Sequence, residues 1–416
     1  MMTLSEANAK FGVYFYHLLT HEHPSENILF SPINLAIALG LLLLGSDCDA
    51  AAQIEKILHW DEVKGCNSPG RKRTLTASRN YAQLGDMRRA NLFHQTSPTM
   101  VPGYECETPE GIHTAFHKIL AELDRPSTGY VLSFANRLYG DQAIGFLQKF
   151  LYCALKLYLT DVDRVNLRNA PEEVRKLINL WTEVQTHGKI KDLFPKDSFD
   201  CLAQLLQVNA LYFKGQWDVK FDKAVTQEGP FYLNERDCTT VQLMYQKGQY
   251  KTGIIEGCGV QVLELPYRNN ELSLFILLPK DYHPKSLQRL EDELSDLLLD
   301  WSCILKLEET EVVIPKFSLE KSLEVNAYLD LSTLTDPQNP NFSKATTTEG
   351  VALTQLVHDM FIEIDEEGCK KAPPCPRDKH QCRKPLKFIA IHPFIFYVLH
   401  KVTQTLIALG KFTKPE

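Results

Sequence analysis

The 416-residue sequence has no apolar run that could cross a bilayer as a helix: the longest, Leu35 to Leu44, is about half of the ~20 residues such a span needs. The N-terminus, MMTLSEANAK, lacks a basic region followed by an apolar core and a small-residue cleavage site, so a cleavable secretion signal is not expected. No Ser/Pro/Gly linker divides the chain, and there is no internal repeat or heptad pattern. Cysteine follows no regular framework: eleven residues, an odd number, are spread from Cys48 to Cys382. That is not the pattern of a small disulfide-stapled domain, and most are expected to be reduced thiols packed as small apolar groups. The signatures of common enzymes are missing too: no G-x-S-x-G elbow, no phosphate loop, no H-E-x-x-H and no G-x-G-x-x-G. The chain is therefore not expected to be an enzyme.

What is present is ample material for a core, with 44% hydrophobic residues, and a mild formal charge of -7. That charge conceals two basic islands. Residues 61–106 carry a local +3, and residues 369–387 a local +6, leaving -16 on the remainder. Ala7, Phe11, Tyr14, Phe15 and Leu18 fall on one stripe of a helix after Ser5. A second helix is expected to open at Thr108 and Pro109, burying Ile112, Phe116 and Leu120. A third should open near Pro171, present Val174, Leu177, Ile178 and Trp181 on one face, and stop by Gly188. Later come β-rich runs at 205–213, 260–267, 272–279, 311–317, 394–400 and 405–412, with Tyr267 to Asn270 as a turn. Helices dominate the first half and strands the second, which predicts an α+β fold.

The two basic islands fit neither period, and loops this long in a compact domain are usually functional or disordered. His21-Glu22-His23, just before Pro24, is expected in a solvated turn, and residues this close in sequence do not set two imidazoles on one helical face. Cys375, His380 and Cys382, with Cys369 as fourth ligand, could close on a soft metal ion, but their spacing matches no zinc-finger pattern, and no metal or cofactor is expected. A catalytic thiol in the same proline-rich stretch is discounted, because it needs a rigid electropositive pocket.

The order of motifs then points to a family. NILFSP stands at 27–32, ANRLYG at 135–140, and Asn179, Trp181 and Thr186 precede Gly188-Lys189-Ile190. VNALYFKGQW follows at 208–217, ELPY at 264–267, and a VH…EEG stretch precedes HPF at 392–394. From Ser5 to Pro415 the chain resembles the serpin family, in particular its intracellular ovalbumin-like branch, clade B. The resemblance implies a single domain over residues 1–416, with three β-sheets, about nine helices and an exposed reactive loop. Residues 61–106 become a variable loop between helices, and 369–387 the reactive loop. It also implies a protease-inhibitor mechanism in which the cleaved loop inserts as a central strand of the large sheet. It implies a cytoplasmic protein, with a nuclear location or export without a cleaved signal as alternatives, acting as a monomer away from membranes.

This loop departs from the family pattern. Glu366, Glu367 and Gly368 are retained, but Cys369, Lys370, Lys371, Ala372, Pro373, Pro374, Cys375 and Pro376 replace the usual Thr or Ser, Glu and alanine run. A proline has no N–H for a central ladder, at roughly 3 kcal/mol or more for each poorly placed one. Strand alternation puts Lys371 on the face with Cys369, which the family turns into the core, and burying an unpaired ammonium costs several kcal/mol. A poorly inhibitory or non-inhibitory serpin is therefore expected. Counting from Gly368 places the scissile bond at Cys382-Arg383, and the basic side chains nearby make a trypsin-like serine protease the expected enzyme if one is engaged.

Three further sets follow from the resemblance. Ser31, Asn209 and His358 match a buried shutter network, with Asn34 where the family has a second serine. Trp217 and a Lys316–Glu366 ion pair match the region where insertion begins. Arg71, Lys72 and Arg73 resemble basic insertions of nuclear relatives and suggest heparin, DNA or an import receptor as partner.

Overall fold

The computed structural model describes residues 2–63, 104–294, 304–338, 341–370 and 384–415. The eight α-helices among the described residues are α1 (Leu4–Glu22), α2 (Pro32–Gly45), α3 (Cys48–Ile57), α4 (Ile112–Leu123), α5 (Gln148–Tyr158), α6 (Pro171–Gln185), α7 (Pro284–Asp292) and α8 (Ser332–Thr335). The strands of the first half are β1 (Ile28–Phe30), β2 (Tyr130–Asp141), β3 (Asp161–Val165), β4 (Leu205–Gly215) and β5 (Trp217–Val219). Those that follow are β6 (Gln227–Tyr232), β7 (Cys238–Ile255), β8 (Val260–Pro266), β9 (Leu272–Pro279), β10 (Lys306–Pro315) and β11 (Phe317–Glu324). The last are β12 (Leu353–Ile364), β13 (Gly368–Lys370), β14 (Leu386–Ile389), β15 (Phe394–His400) and β16 (Thr405–Phe412). They form a nine-stranded sheet in the order β1-β16-β15-β9-β8-β7-β10-β14 with β6 beside β7, a five-stranded sheet β11-β12-β4-β2-β3, and the pair β13-β5. This is the α+β arrangement that the sequence pattern predicted, with the three sheets that the resemblance implied.

Helix α2 shows how composition sets position. Ser31 caps it by accepting the Asn34 N–H at 3.1 Å, and Pro32 occupies the first turn, where its missing N–H costs nothing. Beyond that turn the sequence is apolar all round, and a helix with no polar face must be enclosed. It is: α2 touches α1, α3, α5, β4 and β16. The five-stranded sheet then uses the period-2 alternation of strands to serve two cores. Leu205, Leu211 and Phe213 of β4 join the large cluster that holds α2, whereas Leu206, Val208 and Ala210 pack with Ala135 and Tyr139 of β2 under Val174 and Ile178 of α6.

Four expectations need correction. Helix α4 begins at Ile112, not Thr108, because Thr108 to Gly111 form a turn and the Glu107 carboxylate reaches over the helix start to accept the Thr114 N–H at 2.8 Å. Gly111 makes this possible, since a Cβ there would lie 1.8 Å from Glu107 Cδ. In α6, Leu177 is 51% exposed and Trp181 only partly buried, and the buried face is Val174, Ile178, Asn179 and Thr182. Asn179 turns inward because it both donates to the Phe194 carbonyl and accepts its N–H, each at 2.9 Å. The run at 311–317 is not one strand: β10 ends at Pro315 in the nine-stranded sheet and β11 starts at Phe317 in the five-stranded one, with Lys316 as the single connecting residue. Finally, both ends of the expected 369–387 loop are strand: Gly368 and Lys370 pair with Trp217 and Val219, and Leu386 to Ile389 run parallel to Thr310 to Val313. A disulfide joins Cys106 to Cys153, while Cys48, Cys201, Cys238, Cys258 and Cys369 are free. Among the described residues no helix is long and apolar enough to cross a membrane.

Because Leu39 sits fully buried at the middle of α2, Leu39→Ala is expected to lower the free energy of unfolding in urea by roughly 2–5 kcal/mol. A loss under about 1 kcal/mol would show that α2 is not the organising element of the large core.

Candidate functional site

Strands β4 and β12 lie side by side and parallel, with Leu205 opposite Leu353, a register shift between Leu353 and Gln355, and an unbroken register from Leu206 opposite Gln355 to Lys214 opposite Glu363. Near the middle of this seam His358 stands opposite Asn209, and both are wholly buried. The imidazole Nδ1 bonds Asn209 Oδ1 at 2.5 Å, and Nε2 accepts the backbone N–H of Ser31 at 3.0 Å. An acceptor at Nε2 and a donor at Nδ1 define the neutral ring, and burial pushes the pKa of His358 down to about 3. Asn209 Nδ2 donates to the Asn34 carbonyl at 2.7 Å and to Asn136 Oδ1 at 2.6 Å, and Asn136 Nδ2 donates to Asn34 Oδ1 at 2.7 Å. One network therefore ties β12, β4, β2 and the first turn of α2. Asn34 takes part through both oxygens, and its Nδ2 has no partner among the described residues.

The upper end of the seam is a lattice of charges. Glu363, Asp365 and Glu367 recur every second residue and so share one side of the chain. Lys214 meets them at 3.2, 2.9 and 3.7 Å, and Lys189 also pairs with Glu363. Burial works against the Lys214 charge, but its bonds to Asp365 and Glu363 outweigh that and raise its pKa. Burial likewise opposes the Glu366 charge, and the Lys316 ammonium at 2.9 Å holds its carboxyl below the usual range. Trp217 closes this end: its Nε1 donates to the Asp365 carbonyl at 2.6 Å, its backbone N–H to the Glu367 carbonyl at 3.0 Å, and its ring stacks on Tyr267 at 4.6 Å. Gly368 then passes so close to Lys220 that a Cβ would lie 2.6 Å from its Cα.

The structure thus brings Ser31, Asn209 and His358 together at mid-seam, and Trp217, Lys316, Glu366, Glu367 and Gly368 at its upper end. Cys369 follows in β13 with its side chain exposed. Lys371, Ala372, Pro373, Pro374, the Cys382-Arg383 bond and Arg71, Lys72 and Arg73 lie outside the described residues. Sequence reading missed Asn136, which needed the β2–β4 register to be found. It also missed Lys214 with its three carboxylates, although their i, i+2, i+4 spacing was visible.

Asp359, the next residue after His358, projects from the opposite side of β12 and is also buried; burial, then Glu320, raises its pKa to about 8. The two neighbours act on stability with opposite signs. The unfolded chain protonates His358 near 6.5 and the folded one only near 3, so its contribution is full above 6.5 and lost as pH falls through that window. Asp359 ionises near 3.8 when unfolded and about 8 when folded, so its effect is to reduce stability as pH rises between those values. Asp359→Asn is expected to raise the melting temperature most at pH 8, and His358→Gln to flatten the loss of stability below pH 6.5. Melting profiles across pH that neither substitution changes would contradict this. Gly368→Ala should cost about 1–3 kcal/mol in urea unfolding, because the obstacle is backbone and cannot rotate away.

Comparison with known proteins gives the same picture at the level of the whole chain. A family model described as Serpin (serine protease inhibitor) matches residues 6–415. Human Serpin B12 is 33% identical over 426 residues, and leukocyte elastase inhibitor from Equus caballus is 32% identical over 425. Each alignment covers 100% of this chain and 100% of the relative. Among solved structures, a tumour-suppressing serpin superimposes with a TM-score of 0.81 at 28% identity, and uncleaved ovalbumin with 0.82 at 25%, again over 100% of both chains. With a near full-length family match and relatives aligned end to end, this chain belongs to the serpin family.

Proposed function

We propose that this serpin offers its loop to a trypsin-like serine protease as a substrate and is cut without trapping the enzyme. The observation that carries the reading is the hinge sequence after Gly368: Cys369, Lys370, Lys371, Ala372, Pro373, Pro374, Cys375, Pro376. Insertion between β4 and β12 would demand N–H donors on both sides from a segment in which three residues have none. It would also send Lys371 toward the core. The closed seam adds to the cost, since its backbone ladder, the His358–Asn209 bond and the Lys214 ion pairs must all be broken before a strand can enter. In this reading Ser31, Asn209 and His358 keep the sheet shut, while Trp217, Lys316 and Glu366 hold its upper end.

A second reading is a working suicide-substrate inhibitor of a trypsin-like protease. The hydrogen-bonded network at His358 and the Lys316–Glu366 pair favour it, as does the similarity to a relative named for inhibiting leukocyte elastase.

Incubation with trypsin separates the two. A substrate is expected to be cut beside Arg377, Lys379 or Arg383, to give no SDS-resistant complex, and to melt after nicking at nearly its original temperature. A covalent complex, or a large upward shift in melting, overturns the proposal. Replacing the hinge by Lys371→Thr, Pro373→Ala, Pro374→Ala and Pro376→Ala relieves roughly 3 kcal/mol or more per proline and should raise the melting temperature of the nicked form above that of the nicked parent.

A further inference from the structure

We infer that Cys106 and Cys153 form a thiol–disulfide switch, opened by a dithiol reductant, that fastens the entry of α4 onto α5. Besides the Thr114 hydroxyl, which also reaches the Thr108 carbonyl at 3.2 Å, three contacts hold this entry. The disulfide links Cys106 to the middle of α5, Tyr104 packs its ring on Tyr152 at 6.0 Å, and Glu107 lies over the start of α4, accepting the Thr114 N–H at 2.8 Å and its hydroxyl at 3.1 Å. Only the first is covalent. The residue joined to Cys106 by the next peptide bond is the one that caps the helix, so where Cys106 sits decides where the Glu107 carboxylate sits. That carboxylate is costly to hold: burial raises its pKa despite the hydrogen bonds it accepts. Because α4 has no side-chain cap from its own N-cap residue, Gly111, its first turn depends on Glu107 arriving from outside the helix.

The exchange has a defined direction. Cys106 is partly exposed and Cys153 is 2% exposed in α5. A thiolate of the dithiol attacks Cys106 Sγ, the S–S bond breaks, and Cys153 leaves as a thiolate that takes up a proton. The second thiol of the reductant then attacks its own sulfur in the mixed disulfide, forming the reductant's disulfide and releasing Cys106 as a thiol. Two electrons and two protons pass to the protein, and the dithiol is oxidised. The buried leaving group makes a rigid closed bond slow to open, so exchange proceeds through local opening of residues 104–107. Once reduced, these residues keep the ring contact and the Glu107 bonds but lose their covalent tie to α5, and the first turn of α4 frays.

Hydrogen exchange followed by mass spectrometry on the full chain tests this, comparing the oxidised protein, the dithiothreitol-reduced protein and Cys106→Ser. The amides of 112–116 are expected to exchange about tenfold faster in the second and third samples, while those of β12 stay unchanged. Reoxidation of the reduced wild type should restore the slow rate, which keeps the test decisive if Cys106→Ser folds poorly. Equal rates at 112–116 in all samples would overturn the inference. So would acceleration across β12 as well, which means global unfolding, or alkylation of both thiols in the untreated protein.

Discussion

Parallel pairing of β4 with β12 is the constraint around which the rest of this molecule is arranged. Parallel neighbours cannot be joined by a tight hairpin, so the chain leaves β4 at Gly215 and comes back only at Leu353, having built five strands of the nine-stranded sheet on the way. The two strands meet through backbone ladders, but what singles out their mid-point is polar: a neutral imidazole, wedged between an amide on the next strand and the N–H of a helix cap. Such a network is well satisfied only while the strands touch, and a buried polar group left without its partner costs far more than a lost apolar contact. Closure of the sheet is therefore close to all or none at this point.

How much of this could be read beforehand depended on whether the physics was local. The alternation of LLQVNALYF and the apolar run of TLIALGKF each carry their strand in their own residues, and both appear where expected. The motif order placed Ser31, Asn209 and His358 in one network although they are separated by hundreds of residues. What stayed hidden were boundaries and partners decided at a distance. Thr108-Pro109 has the chemistry of a helix start, yet the start lies at Ile112 because Glu107 bonds to Thr114 across the turn. Leu177 has the right spacing for a core face, yet Asn179 outranks it, since a buried amide with two bonds to Phe194 fixes the rotation of the helix. The Cys106–Cys153 bond had no signal in cysteine spacing at all.

The molecule also joins two tendencies that usually travel together in opposite directions. Its sheet holds hydrogen-bonded and charged groups at the mid-point and upper end of the seam, while the sequence that follows Gly368 carries prolines and lysines. Consistency across levels is the ordinary condition of an evolved fold, and a local conflict of this kind marks a site where a different requirement prevails. Under the function proposed above, the conflict is confined to the stretch after Gly368. The same residues that satisfy buried polar groups also stabilise a closed sheet, so keeping them requires no strand to enter.

Lys316 has one more consequence. It is the sole residue between β10 and β11, so the two large sheets share a continuous backbone there with no slack, and its ammonium reaches Glu366 just beyond β12. Strands β11 and β12 are paired along eight residues. On the side of the larger sheet, any sliding of that pair away from β4 must be taken up as torsion at this one residue, which makes Lys316 the axle on which two of the five strands would turn against the larger neighbour.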